Sequence, residues 1–325
     1  MAVSRTEDQT TVTVISCPSA IAVCGVGQIG LSLGLCCWRS GYEALLYDRD
    51  GDKLAEALPK IKAMDSWLTS EFPQSNPSYG TLQTTSDLAV VDYRADLVLE
   101  SISEDLTAKV ALFRSLCRAA QRGAVFCSCT SGLSISEMGV RSGRPSQLVG
   151  THFWSPPHLM PLVEVVRGAA SSEEALQTAM EFCRRLGKQT VLVNVDAPGF
   201  IGNRLLHAMW REAINIVERG IASAEDVDKV ARLTIGMRQA TLGPLEHMDL
   251  AGLDLIRAIH QYLLTDLASQ PSPAKLLEQM VDKGRLGVKS GHGFYNWESR
   301  SAEELARSRD RQILRELQFL SVPTS

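Results

Sequence analysis

Between Ala20 and Val195 the chain alternates short β-branched apolar runs with longer stretches whose apolar residues recur every three or four positions. The short runs, near 20–24, 43–47, 95–101, 124–129, 147–153, 162–166 and 190–195, predict strands, and the stretches between them predict helices. Such alternation is the pattern of strand-helix-strand units around a parallel sheet. After Pro198 the pattern changes, and amphipathic helical stretches follow one another with no strand signal of comparable strength. In 198–220, Leu206, Met209, Ala213 and Ile216 recur at helical steps and form one stripe, on which Asn203 also lies. Ser223 and Ser301, the latter opening Ser-Ala-Glu-Glu, read as helix N-caps, and Gly291-His292-Gly293 as a turn. The pattern therefore predicts an α/β chain: a mostly parallel sheet domain over 18–195 followed by an all-helical domain over 196–325.

The stretch AIAVCGVGQIGLSLG, residues 20–34, runs an apolar strand into Gly25, Gly27 and Gly30. A lone G-x-G-x-x-G says little. Between a predicted strand and a predicted helix it makes the sheet domain Rossmann-like, because glycines there permit a tight turn, close approach to a pyrophosphate and close helix-sheet packing. Gln28 and Ile29 open the helix whose N-terminus would face the phosphates. The second strand ends at Asp48, where an acid meets an adenosine ribose 2′-hydroxyl and repels a 2′-phosphate. This selects NAD, although Arg49 beside it keeps an NADP reading open. The alternative is a glycine-rich packing turn followed by a chance acid.

At 325 residues the chain exceeds what one core usually supports, in keeping with two domains. Its 45% hydrophobic and 22% charged residues are ordinary for a soluble globular protein. A net charge of −4 with no basic stripe speaks against nucleic acid or an acidic membrane surface as partners. No apolar run approaches the roughly 18 residues of a membrane-spanning helix. The opening MAVSRTEDQTTVTVIS carries acids and lacks an apolar centre, so it reads as a flexible arm and not a secretion signal. Several of the eight cysteines (Cys24, Cys36, Cys37, Cys127, Cys129) lie in apolar stretches, as small buried residues do in a reducing compartment such as the cytoplasm. Cys127 and Cys129 point to one face of a strand, but no second pair follows at zinc-site spacing, and no metal is expected.

The segment THFWSPPHLMPLVEV, residues 151–165, places His152 at the end of an apolar run and Glu164 twelve positions later between valines. Such groups are costly to bury unless they pair. An imidazole, with an ordinary pKa of about 6.5, suits removal of a hydroxyl proton during hydride transfer, and a carboxylate would fix its tautomer and stabilise the imidazolium. The bland alternative is a satisfied core histidine and a paired strand acid.

The stretches GVGQIG, LVLESISEDLTAK, SCTSGLSI, GTHFWSPP, LVEVV, DAPGFIGNR, GPLEHMDLAGLD and GVKSGHGFYNW occur in this order over 20–297, and together the chain resembles the 3-hydroxyacyl-CoA dehydrogenase superfamily. The resemblance implies an NAD-dependent dehydrogenase, with a helical domain that pairs two chains and an active site in the cleft between the domains. It makes His152 the base, Glu164 its orienting carboxylate, Ser131 and Asn203 the holders of the substrate oxygen, and Glu104 and Lys109 neighbours of the cofactor. Taken alone, Ser131 reads as a turn residue or cap and Asn203 as a helix cap.

Three departures bear on the substrate. Cys129 stands where acyl-CoA members of the family have asparagine, and Ser155 replaces another asparagine; both changes are expected beside nicotinamide and substrate. The segment after Asp48 is short, with Lys60 and Lys62 but no longer basic cluster to meet the phosphates of CoA. Meanwhile TSG, the PPH after the histidine and IGMRQATLGPLEHMDLAGLD are similar to the branch acting on small free acids, the pyridine-carboxylate and gulonate 3-dehydrogenases. Arg238 is a candidate to grip a carboxylate bidentately, its alternative being a surface or subunit-interface arginine. The expected function is oxidation of a hydroxyl, or hydrated aldehyde, of a small carboxylic acid by NAD. A 3-hydroxyacyl-CoA substrate is the second reading, and a non-catalytic NAD-binding protein the third. A decarboxylating β-hydroxyacid dehydrogenase would need a lysine in GFIGNRLLHAMWREAINIVERG, which has none.

Overall fold

Residues 18–73 and 77–320 are described by a computed structural model, and the expected N-terminal arm lies outside them. The chain divides into two compact units between Ile201 and Gly202. The first is built on one eight-stranded sheet: β1 Ala20–Cys24, β2 Glu43–Tyr47, β3 Thr81–Thr85, β4 Leu97–Glu100, β5 Val125–Ser128, β6 Leu148–Phe153, β7 Leu162–Val166 and β8 Gln189–Val193, in the spatial order β3-β2-β1-β4-β5-β6-β7-β8. All neighbours are parallel except β6 and β7, which run antiparallel.

Seven helices cover the sheet: α1 Gln28–Arg39, α2 Gly51–Glu71, α3 Leu88–Arg94, α4 Leu106–Ser115, α5 Cys117–Gln121, α6 Ile135–Ser142 and α7 Glu173–Arg185. On one face Leu33 and Leu35 of α1, Ala57 and Ile61 of α2 and Phe182 of α7 pack against Val23, Leu99 and Val163. On the other, Val91, Phe113, Ala119 and Met138 pack against Cys24, Val98 and Phe126. Both faces being covered, the central strands β4 and β5 are buried along their whole length and apolar up to Glu100 and Ser128 at their ends, instead of alternating.

Two expectations from the sequence are corrected. β3, TLQTT, is absent from the predicted strands because it is a largely exposed edge strand with no apolar run, as edges that resist further pairing are. The segment after Asp48 is not short. It is the single 21-residue helix α2, capped by Asp50, whose side chain accepts from the Asp52 and Lys53 N–H groups.

The second unit is helical: α8 Gly202–Glu218, then Ala224–Val230, Met237–Gln239, Pro244–Ala251, Leu253–Leu263, Lys275–Asp282 and Ala302–Leu320, with a π-helical turn at Ala231–Gly236. Ser223 accepts from the Asp226 N–H and Ser301 from the Glu304 N–H, the caps the sequence predicts. Its large apolar side chains are mostly exposed, Leu205, Met209, Trp210, Leu250, Leu253 and Leu255 among them. No helix among the described residues is long and apolar enough to cross a membrane.

Candidate active site

In a parallel sheet the carboxyl ends of the strands open toward the ligand. Gly25 follows β1, Glu104 follows β4, Ser131 follows β5 and His152 is next to last in β6, so these four predicted site residues collect at one edge of four adjacent strands.

The three glycines of the first loop have different tasks. Gly25 has φ +100°, and a Cβ there would meet the Ser101 carbonyl oxygen at 2.7 Å. At Gly30 a Cβ would lie 1.8 Å from the Gly25 oxygen, so any side chain would push α1 off the strand. Gly27 differs, because a Cβ there would meet nothing within 4 Å. No side chain caps α1 at Gly27. Exposed Gly27 and Gln28 and half-buried Ile29 thus present open space and first-turn N–H groups, the setting that takes a phosphate. Asp48 accepts from the Val26 N–H and the Asp50 N–H, each at 3.0 Å, and so sits against the loop; Arg49 is exposed. The donor set and the open cradle fit a dinucleotide.

Beyond β4 lies a buried charged network. Lys109, 1% exposed, places Nζ 2.6 Å from Glu100 Oε1 and 3.2 Å from Glu104 Oε2. Glu100 also accepts from the Ser128 hydroxyl at 2.7 Å and the Ile102 N–H at 2.9 Å. Glu104 accepts from the Thr130 hydroxyl and, at 2.9 Å, from the Ser131 N–H. Burial pushes the Glu100 carboxyl above its ordinary range despite the pull of Lys109. Burial works against the Lys109 ammonium as well, but the attraction of Glu100 and then Glu104 outweighs it and leaves its pKa raised, so it stays protonated. Two carboxylates and one ammonium thereby fix the turn that carries Ser131.

Antiparallel pairing sets His152 directly opposite Glu164, and directly opposed residues point to one face. Nδ1 lies 2.7 Å from Oε2, with both side chains buried. An ionised carboxylate can only accept, so Nδ1 carries the proton and Nε2 is left as the basic nitrogen. The other carboxylate oxygen accepts from the Ile201 N–H at 2.8 Å. The rings of Trp154 and Phe200 stand 5.1 and 5.7 Å from the imidazole.

The remaining predicted residues separate. Ser155 is exposed on the loop after β6, and His158 in that loop lies 2.8 Å from Ser32 of α1. Asn203, in the first turn of α8, and exposed Arg238, on the short helix Met237–Gln239, belong to the second unit. Cys129 is half-buried just past the end of β5. Its Sγ lies 3.9 Å from Thr151 Oγ1 and packs with the α1 and α7 core, whereas the side chain of His152, next to Thr151 in β6, points to the opposite face. Burial pushes the Cys129 thiol up to about 12, so it remains protonated. The sequence reasoning missed Glu100, Ser128, Thr130 and Phe200; the acid ending the apolar strand LVLE was the one visible signal.

Comparison with known proteins identifies the family. The family description "3-hydroxyacyl-CoA dehydrogenase, NAD binding domain" matches residues 20–197, and "3-hydroxyacyl-CoA dehydrogenase, C-terminal domain" matches residues 199–297. A probable 3-hydroxybutyryl-CoA dehydrogenase of Deinococcus radiodurans is 36% identical over 284 residues, covering 85% of this chain and 99% of that protein. The 5-formyl-3-hydroxy-2-methylpyridine 4-carboxylate 5-dehydrogenase of Mesorhizobium japonicum is 28% identical over 295 residues, 90% of this chain and 96% of the relative. Among solved structures, a dehydrogenase of that pyridine carboxylate, described as an NAD+ dependent dismutase, superposes with a TM-score of 0.88 at 28% identity, over 94% of this chain and 99% of its own. The (S)-3-hydroxybutyryl-CoA dehydrogenase of Ralstonia eutropha gives 0.70 at 25% identity, over 86% and 99%. Matched over both domains in order, the chain belongs to the 3-hydroxyacyl-CoA dehydrogenase family and is an NAD-dependent dehydrogenase.

Proposed function

We propose that the protein oxidises a hydroxyl group, or a hydrated aldehyde, of a small free carboxylic acid, with His152 as general base. The buried His152–Glu164 pair carries this reading. Nε2 of His152 takes the hydroxyl proton as the carbinol carbon gives up its hydride, and Glu164 stabilises the resulting imidazolium. NAD, when bound, accepts that hydride. Gly25, Gly27, Gln28, Ile29, Gly30, Asp48 and Arg49 would hold its adenosine and phosphate half, and Glu104 and Lys109 the neighbourhood of its nicotinamide. Ser131 and Asn203 would hold the substrate oxygen, with Ser155 and Arg238 toward its carboxylate.

Support for a free acid comes from the closer superposition on the pyridine-carboxylate enzyme, 0.88 against 0.70. Sequence identity points the other way, at 36% against 28%, and sustains the 3-hydroxyacyl-CoA reading as the alternative. We give the superposition more weight because it spans 94% of this chain and 99% of the other. The two are separated by assaying NADH formation with free hydroxy acids, aromatic aldehydes and 3-hydroxybutyryl-CoA. The free acids or aldehydes are expected to be turned over and the thioester not; a reversed preference sinks the proposal. Run with both cofactors, the assay should favour NAD over NADP by at least ~10-fold in kcat/KM, since one unfavourable charge contact at Asp48 reaches about 1.4 kcal/mol.

The same reading takes the second unit as pairing two identical chains in a reducing, cytoplasmic setting. Its exposed Leu205, Met209, Leu250, Leu253 and Leu255, and an apolar cavity of about 790 Å³ lined by Trp210, Ile214, Leu277 and Phe294, support a self-complementary face. Light scattering at micromolar concentration should give about twice the 35.5 kDa of one chain. A monodisperse particle of single-chain mass removes the dimer.

A further inference from the structure

The last residues of the first unit, Ala197-Pro198-Gly199-Phe200-Ile201, form a turn with an unusual backbone. Gly199 has φ +77°, which glycine adopts freely. Phe200 has φ +51° and is the only residue other than glycine with positive φ among the described residues. For a bulky side chain that conformation is disfavoured and persists only where the surroundings dictate it.

The surroundings here are the dyad. Phe200 is 2% exposed and packs with the core that includes Ile135, Met138, Val166 and Val193. Its own N–H donates to the Ala197 carbonyl at 3.0 Å, closing the turn. From it the aromatic ring reaches the imidazole of His152, centroids 5.7 Å apart at an interplanar angle of 56°. The next N–H, that of Ile201, donates to Glu164 Oε1 at 2.8 Å, while Oε2 of the same carboxylate holds Nδ1 of His152. One turn thus touches both partners, the base through a ring and its carboxylate through a backbone N–H. A core phenylalanine does not require a strained backbone. A glycine at position 200 would remove the strain, but also the ring that bounds the imidazole.

We propose that Phe200 is a positioning residue, whose strained turn clamps the His152 ring and the Glu164 carboxylate in register with each other. The clamp acts on the proton-transfer geometry and not on binding, so it separates kcat from KM. This inference rests on His152 being the base, and its test is built to tell the two apart.

Phe200→Leu keeps apolar bulk and loses the flat ring, Phe200→Tyr keeps the ring, and His152→Ala is run beside them. Rates are measured with NAD and the free acid or aldehyde of the panel above that is turned over fastest. The exposure of His152 is measured without substrate, from its rate of modification by diethylpyrocarbonate read by peptide mass spectrometry. A displaced catalytic group loses up to about 10²-fold in rate per ångström, so Phe200→Leu should lower kcat by ~10-fold or more. KM and NAD affinity should stay within about 2-fold, as expected when only the chemical step is touched, and Phe200→Tyr should keep kcat within about 3-fold. His152 should react faster with diethylpyrocarbonate in Phe200→Leu than in the parent. An unchanged kcat in Phe200→Leu, an equal loss in Phe200→Tyr, or a loss shared by KM and NAD affinity overturns the clamp. Unchanged modification of His152 in Phe200→Leu overturns it without reference to any substrate. Full activity in His152→Ala instead removes the base reading on which the proposal rests.

Discussion

His152→Ala is expected to lower kcat by about 10²–10⁴ while NAD still binds, the usual contribution of a positioned general base. The glycine loop and Asp48 do not touch the imidazole, so a fluorescence titration of NADH should give an affinity close to that of the parent. Alanine also strips Glu164 of its imidazole partner, which leaves a buried carboxylate short of a hydrogen bond, a deficit of about 1–3 kcal/mol. His152→Gln is therefore the cleaner variant: its amide can still donate to Glu164, yet it offers no basic nitrogen. An equal collapse of rate in both, with the glutamine form as stable as the parent, identifies lost chemistry. A glutamine variant that keeps its rate assigns the histidine to structure. Glu164→Gln should fall in the same direction, because an amide donating to Nδ1 leaves the ring proton on Nε2, the tautomer that cannot take a proton from substrate.

What the sequence revealed of this site follows the range over which its determinants act. The loop from Gly25 to Gly30 was legible because its requirements are local: each glycine answers a contact or a backbone angle within a few residues, or an open space. Asp48 was legible because a strand end a fixed distance onward is fixed by the same unit. The pairing of His152 with Glu164 was readable as chemistry, and the antiparallel register that makes it became visible only in the sheet. Glu100 was invisible as a site because its partners arrive from α4 and β5, nine and twenty-eight residues away. Edge strand β3 failed the apolar pattern since it pairs with one strand only and is largely exposed. The direction of the Cys129 side chain was not legible without the sheet, where its Sγ faces Thr151 Oγ1 and packs against the α1 and α7 core. The φ of Phe200 leaves no mark in composition or spacing.

Lys109→Met should destabilise the first unit by about 3–5 kcal/mol, the cost of breaking a buried ion pair from one side. For a unit of this size that corresponds to a fall in melting temperature of roughly 6–20 °C. Glu100, with its side chain 0% exposed, would keep the Ser128 and Ile102 donors but lose the one positive charge that offsets its burial. It can escape by taking up a proton, and burial already holds its pKa above the ordinary carboxylate value even with Lys109 present. The sign of the pH dependence follows. A carboxyl whose folded pKa exceeds its unfolded one favours the fold below both values and loses that advantage as pH rises through them, further so once Lys109 is gone. Urea unfolding should therefore show a smaller defect for Lys109→Met at pH 5.5 than at pH 8. Adding Glu100→Leu should recover much of the loss, because an apolar pair of similar volume is often as stable as the ion pair it replaces. Catalysis should not recover with it, since Glu104 still lacks its ammonium partner and holds the Thr130–Ser131 turn alone. A defect below about 1 kcal/mol at both pH values, or a double variant as unstable as the sum of its parts, would show that Glu100 and Lys109 are not coupled.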